Sequence, residues 1–443
     1  MVRSITSVIF IFSLNLLFYM TDIATAPSKE KSYLVPTIII GILFFVFGFV
    51  TWVNATLIPY LQKACELTPD QAVLVTFASY IAYAVMAFPS SWVLGKTGFK
   101  KGMVLGLLIM AVGALVFIPA AYSRTFGMFL TGLFIIGIGL ALLQTAVNPY
   151  ITILGPIESA AKRISVMGVC NKAAGAIAPL VMGAVLLNGM EKYDNVGSLP
   201  IDQKNLLLDE LASKIVSPYI IIAVCFVILA VAIRFSALPD IKNEEETNPS
   251  HATADRSSIF SYPYLWLGFI ALFLYVGAEV IAGDIIQLYG KEGLGMPVDT
   301  IKHFTSYTMI GMLTGYILGI LLIPKVVSQN TALKFSAVLG IILSLGVIFM
   351  PGKYSILCLA LLGFANAPIW PALWPLSIDG LGKYLKTGSA LLIVGIAGGA
   401  IIPKTWAAIS TSTGMQQAFW ILVPSYAFIL FFAVKGNKIG KTV

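Results

Sequence analysis

Ile38-Ile-Ile-Gly-Ile-Leu-Phe-Phe-Val-Phe-Gly-Phe-Val-Thr-Trp-Val53 is apolar at odd and even positions alike. A transmembrane β-strand alternates lipid-facing with lumen-facing residues over about 10 positions, and this stretch does not. A hydrocarbon core of about 30 Å is crossed by about 20 apolar residues in a helix. In lipid the backbone must satisfy its own hydrogen bonds, which leaves only helices or closed barrels. The stretch therefore reads as a membrane-spanning helix.

Runs of this kind recur along all 443 residues, of which 58% are hydrophobic and 11% charged. Soluble domains carry about 25% charged residues. Twelve spans are expected, near 34–60, 71–94, 103–122, 127–152, 165–188 and 217–236, then 262–289, 300–324, 332–350, 354–377, 388–409 and 416–435. The polar connection 234–258 divides them six and six, and a second, acidic and amphipathic loop occupies 188–217. The fold class is thus an all-α membrane protein of twelve transmembrane helices in two six-helix bundles. Its parts are an N-terminal segment 1–33, bundles 34–236 and 261–436, a linker 237–260 and a tail 437–443. In 1–26, Arg3, an apolar run and Ala24-Thr25-Ala26 imitate a signal peptide, and Met20 is the favoured alternative start.

The net charge of +8 lies in short loops and reports topology, not nucleic-acid binding. With the N-terminus inside, 17 Lys and Arg fall on the inner side and 8 on the outer. The positive-inside rule then places both termini in the cytoplasm of an inner membrane. Cys65, Cys170, Cys225 and Cys358 show no pairing or metal spacing, and Cys170, Cys225 and Cys358, within apolar runs, read as packing residues. His251 and His303 are the only histidines. No Walker motif, filter-like ring or nucleophile–base constellation is present, which argues against a pump, a channel and an enzyme. No cofactor is expected.

The halves echo each other. Ala174-Gly-Ala-Ile-Ala-Pro179 in span five matches Gly398-Gly-Ala-Ile-Ile-Pro403 in span eleven. Late prolines precede both, at Asn148-Pro149 and Trp374-Pro375, each followed by a basic loop, 155–163 and 380–386. Parallel repeats of this kind leave a mid-membrane cleft served by alternating access.

Polar groups inside spans are costly and mark candidate function. Glu279 lies deep in span seven, where a carboxylate can accept two sugar hydroxyls, titrate, or form a structural ion pair. Asp284, near the outer end of that span, either reaches the headgroups or acts as a coupling group. Lys172 and Lys404 either snorkel to an interface or serve the cavity. Asn54, Gln144, Asn148 and Asn171 offer neutral donors and acceptors, for a solute or for interhelical contact. Asn366, Trp370 and Trp374 in span ten combine an amide with aromatic faces suited to a sugar ring, though such rings also pack cores.

At these residues the chain resembles the fucose–glucose/galactose symporter family of the major facilitator superfamily. The likeness runs over about 35–430 and rests on Gln144-Thr-Ala-Val-Asn148-Pro149-Tyr150 with Leu154-Gly155-Pro156, on Arg163 with Asn171, on Tyr275-Val-Gly-Ala-Glu279, and on Pro368-Ile-Trp370-Pro371 with Gly388-Ser389-Ala390. The loop Gly95-Lys-Thr-Gly-Phe-Lys-Lys101 is similar to the superfamily's second loop, with Gly95 in place of the usual Asp. The resemblance implies a sugar substrate, alternating access and cation-driven import. It implies sugar contact for Asn171, for Glu279 and for neighbouring Tyr275. Proton-linked members carry carboxylates where this chain has Gln144 and Ala55, so coupling through those positions is excluded. Glu279, Asp284, Lys172, or sodium held by neutral oxygens would have to couple, or the carrier is a uniporter. The expectation is a monomer in the lipid bilayer importing a hexose such as glucose, galactose or fucose. An amino-sugar or nucleoside carrier and a non-transporting sensor are the alternatives.

Overall fold

The structure is a computed structural model that describes residues 34–153, 160–193, 196–236, 238, 258–323, 326–381 and 384–441. The N-terminal segment with Met20, almost all of the 237–257 linker, Leu154-Gly155-Pro156 and the side chains of Pro149 and Arg163 lie outside the described residues.

Every long element is helical. In chain order these are α1 Leu34–Trp52, α2 Asn54–Ala64, α3 Leu74–Ser123, α4 Phe126–Ile153, α5 Ala160–Met182, α6 Ile201–Ser213 and α7 Val216–Phe235. There follow α8 Pro263–Val280, α9 Phe304–Leu322, α10 Gln329–Phe349, α11 Gly352–Asn366, α12 Ile369–Ile378, α13 Leu385–Val394, α14 Gly398–Thr413 and α15 Leu422–Val434. Among the described residues ten helical stretches are long and apolar enough to cross a membrane. An eleventh is formed by α11 and α12 together, bent by 41° at Ala367-Pro368. The α3 run is itself broken at Gly98, whose φ of 75° and ψ of 169° no helix contains. Only glycine adopts such a conformation cheaply.

Sequence chemistry sets several boundaries. Thr68 and Gln71 form a reciprocal capping box at the short turn that leads into α3. Pro263 opens α8, where its missing N–H is no loss. Ser328 caps α10. The loop 188–217 is largely structured, because α6 packs along the end of α2 and its Leu211 carbonyl accepts the Tyr60 hydroxyl at 2.5 Å.

The spans bury one side and turn the other outward. Trp92, Val85, Ile228, Phe335 and Phe349 are all exposed, which suits a lipid boundary and a fold stabilised by close helix contacts. Cys225 shares that outward face, so it is not the packing residue expected from the sequence. The α8 stretch is the most enclosed of all, with 67% of its apolar window buried. It packs on α14, α15 and α12, while α1 packs on α5. Contacts between the two halves of the sequence run mainly through α5 with α9, and α3 with α13 and α14. The site lies along this seam.

Candidate functional site

Glu279 stands near the end of α8, where the helix widens into a π turn, Ile281–Ile285. Its Oε1 accepts a hydrogen bond from Lys172 Nζ of α5 at 2.7 Å, and the two side chains are 11% and 10% exposed. Lys172 therefore does not snorkel. Its ammonium also sits 4.7 Å from the centre of the Trp52 ring, a cation–π contact strengthened by the dry surroundings. Trp52 occupies this place because Gly283 and Gly175 leave room for it. A Cβ on either glycine would come within 2.5 Å of the indole.

An aromatic wall continues from this pair. Tyr275, one turn before Glu279, lies 6.4 Å from Trp370, which stacks on Trp374 at 5.4 Å and 22°. Both tryptophans are half-buried. On the other side of the seam Gln144 Nε2 donates to the Tyr83 hydroxyl at 2.8 Å, and Tyr83 contacts Tyr80 at 6.2 Å. The Tyr80 hydroxyl is within electrostatic reach of both Glu279 and Asp284. Asn171 precedes Lys172 and donates to the Phe44 carbonyl at 3.3 Å. Asn148 is one turn beyond Gln144 on α4 and half-buried.

Two of the expected contacts are wholly buried. Asn366 is wholly buried and its Oδ1 accepts from Tyr426 at 2.8 Å, an interhelical contact between α11 and α15. Asn54 is also buried and borders a cavity of ≈ 20 Å³ lined by α1, α3, α4 and α7. That volume holds a water and no sugar.

Asp284 does not reach the headgroups. It is fully buried, and its Oδ2 accepts a hydrogen bond from Thr76 of α3 at 3.3 Å. The physical reason is that residues 275–290 are buried on every face of the helix, so no side of this stretch meets lipid. Lys404 likewise does not extend to an interface alone. It bonds both carboxylate oxygens of Asp70 at 2.7 Å, joining α14 to the start of α3. Trp52, Asp70, Thr76, Tyr80 and Tyr83 were not singled out from the sequence. The only signal was the Tyr80–Tyr83 spacing, which sets both rings on one helical face.

The pairs Lys172–Glu279, Thr76–Asp284 and Asp70–Lys404 each join one half of the chain to the other, the first near the middle of the helices and the other two toward the Asp70 end. That end is closed. Because the Lys404–Asp70 pair is about one-third exposed, it is worth at most about 1 kcal/mol. Lys404→Ala is accordingly expected to raise labelling of a cysteine placed at the fully buried Ala72 by up to about fivefold, read with a membrane-impermeant maleimide. Unchanged labelling would show that the pair does not hold this end shut.

The sequence signature of the Major Facilitator Superfamily matches residues 40–403. The chain belongs to this superfamily. Among curated proteins, a glucose/galactose transporter of Brucella abortus (strain 2308) is 31% identical over 416 residues, covering 94% of this chain and 97% of the relative. The L-fucose-proton symporter of Escherichia coli (strain K12) is 28% identical over 410 residues, covering 91% and 93%. The crystal structure of FucP, a superfamily transporter in the outward conformation, superposes with a TM-score of 0.73 at 27% identity, over 93% of this chain and all of that one. As a superfamily member the chain is a secondary transporter and not an enzyme.

Proposed function

We propose that this protein imports a hexose by alternating access between two bundles, 34–236 and 261–436, across the inner membrane as a monomer with both termini in the cytoplasm. The observation that carries this reading is the Lys172–Glu279 pair, buried across the seam between the halves and walled by Tyr275, Trp370 and Trp374. A carboxylate accepts two hydroxyl protons, an ammonium donates to ring oxygens, and an indole face stacks on the C–H face of a pyranose. Gln144, Asn148 and Asn171 add neutral donors on the opposite bundle. The two curated relatives are named for sugars, which supports the same substrate class.

The ten stretches, the bent α11–α12 pair and the division of α3 at Gly98 support a reading of twelve spans. Repeat symmetry is supported by packing as well as by sequence. Gly48 of α1 lies against the Asn171 carbonyl of α5, and Gly398 of α14 lies against the Phe273 carbonyl of α8. Span one meets span five as span seven meets span eleven.

With the positive side inward, the closed Asp70 end faces outward. The conformation is then the one reached after sugar has entered, with Lys172 and Glu279 closing on each other. Moving the halves apart separates the pair and exposes each partner to sugar hydroxyls.

Counterflow in proteoliposomes loaded with unlabelled glucose, galactose or fucose tests the proposal. Labelled hexose should overshoot its equilibrium level in at least one case. A panel in which only amino sugars or nucleosides exchange would reassign the substrate, and no exchange of any solute would favour a sensor.

A further inference from the structure

Among the described residues, Asp284 is the ionisable group on the seam that the sugar site leaves unexplained. Its side chain is wholly buried, Oδ1 has no partner, and Oδ2 has only the Thr76 hydroxyl. Among the described residues no cation pairs with it. The two lysines of the seam are committed elsewhere, Lys172 to Glu279 and Lys404 to Asp70. The other groups facing it make matters worse for an anion: Glu279 is a second carboxyl on the same helix, and Tyr80 is a neutral phenol that feels both. Around the π turn, Thr305 and Thr308 of α9 spend their hydroxyls on the carbonyls of Gly283 and Ala282, and Trp52 covers Gly283. An ionised carboxylate buried without a counter-charge is among the costliest arrangements in a protein, and such a group takes a proton instead. As the neutral acid it can donate its Oδ2–H to the Thr76 hydroxyl oxygen, which leaves only an uncharged carbonyl oxygen without a partner.

The placement matters as much as the charge. Asp284 and Thr76 belong to opposite halves and meet only while the Asp70 end is closed. Opening that end parts them and admits water to the carboxyl.

We propose that Asp284 carries the coupling proton of the transport cycle. This rests on the carrier reading above and deepens it. With the Asp70 end open, the carboxylate takes a proton from external water, and only the protonated form can be buried against Thr76. On the far side, sugar release loosens the pair between Glu279 and Lys172 and admits water, and water takes the proton from Asp284. The anion left at Asp284 makes the closed state unfavourable and drives the Asp70 end open again. A proton enters and a proton leaves in each turn of the cycle, with nothing oxidised or reduced. Coupling of this kind needs neither a carboxylate at position 144 nor one at position 55.

Two measurements on the purified full chain test this. Infrared difference spectra in heavy water should show the carbonyl stretch of a buried protonated carboxyl, lost in Asp284→Asn. In proteoliposomes the wild type should accumulate hexose under an inward pH gradient. Asp284→Asn should lose that accumulation while keeping counterflow, which also reports that it folds. A wild type without the infrared band would overturn the proposal. So would a variant that still accumulates hexose under the pH gradient, or accumulation driven by sodium alone. If the band is present and disappears in the variant but no hexose shows counterflow, the sugar reading fails and the proton site stands.

Discussion

Glu279→Gln is expected to lower hexose uptake in proteoliposomes by about a hundredfold or more, because it leaves the Lys172 ammonium buried without its counter-charge. Removing one partner of a buried pair costs about 3–5 kcal/mol, and each 1.4 kcal/mol is about tenfold in an equilibrium. A glutamine at 279 still accepts a hydrogen bond but cannot neutralise the lysine 2.7 Å away. Lys172→Met should impair transport in the same direction. The informative variant is the double one, Lys172→Met with Glu279→Leu. Replacing both charges by apolar groups of similar size is often neutral or stabilising, so its melting temperature in detergent should recover while uptake does not. That outcome would separate a transport role from a structural one. Full uptake by Glu279→Gln would remove the pair from the mechanism.

Among the described glycines, Gly398→Ala should be the most damaging added methyl. The new Cβ would lie 1.8 Å from the Phe273 carbonyl oxygen, backbone against backbone, where no side chain can swing aside. Gly48→Ala would place its Cβ 1.9 Å from the Asn171 carbonyl oxygen. Overpacking typically costs about 1–3 kcal/mol, occasionally more, and here relief requires separating α8 from α14 or α1 from α5. Both variants should give little monodisperse protein on size-exclusion chromatography. Gly127→Ala in α4 is the control, since nothing lies within 4 Å of its Cβ, and it should behave as wild type. Normal yield and melting temperature for Gly398→Ala would mean that the α8–α14 contact is looser than described. The Gly48 variant carries a second consequence, because displacing α5 moves Asn171 and Lys172 together.

Much of the site was visible as chemistry before it was visible as geometry. Glu279 and Lys172 stood out because ionisable groups are expensive inside apolar helices. What they do with each other did not stand out, because 107 positions separate them. The amides show the same gap. Gln144, Asn366 and Asn54 look alike in sequence, each a neutral polar group in a greasy run. In the structure Gln144 joins the seam through Tyr83, Asn366 accepts from Tyr426 with its Nδ2 left unpartnered, and Asn54 borders a cavity too small for a sugar. The burial of Asp284 is hidden in the sequence because neighbouring helices enclose residues 275–290 on every face, which no local pattern shows. Trp52 was overlooked because an aromatic inside an apolar span has an ordinary explanation as packing. Its role depends on two glycines in other segments.

From the amino-acid order alone come the helices, their membrane setting, the polar linker near the middle and the superfamily likeness. These follow from local properties, namely apolar length, charge placement and short motifs, which the bilayer reads one segment at a time. Only the tertiary structure decided which buried charges neutralise each other, which amides face the seam and which carboxyl is left without a partner. Each of those outcomes balances the hydration a polar group gives up against the partners it meets, and that balance is struck only when helices distant in sequence close on one another.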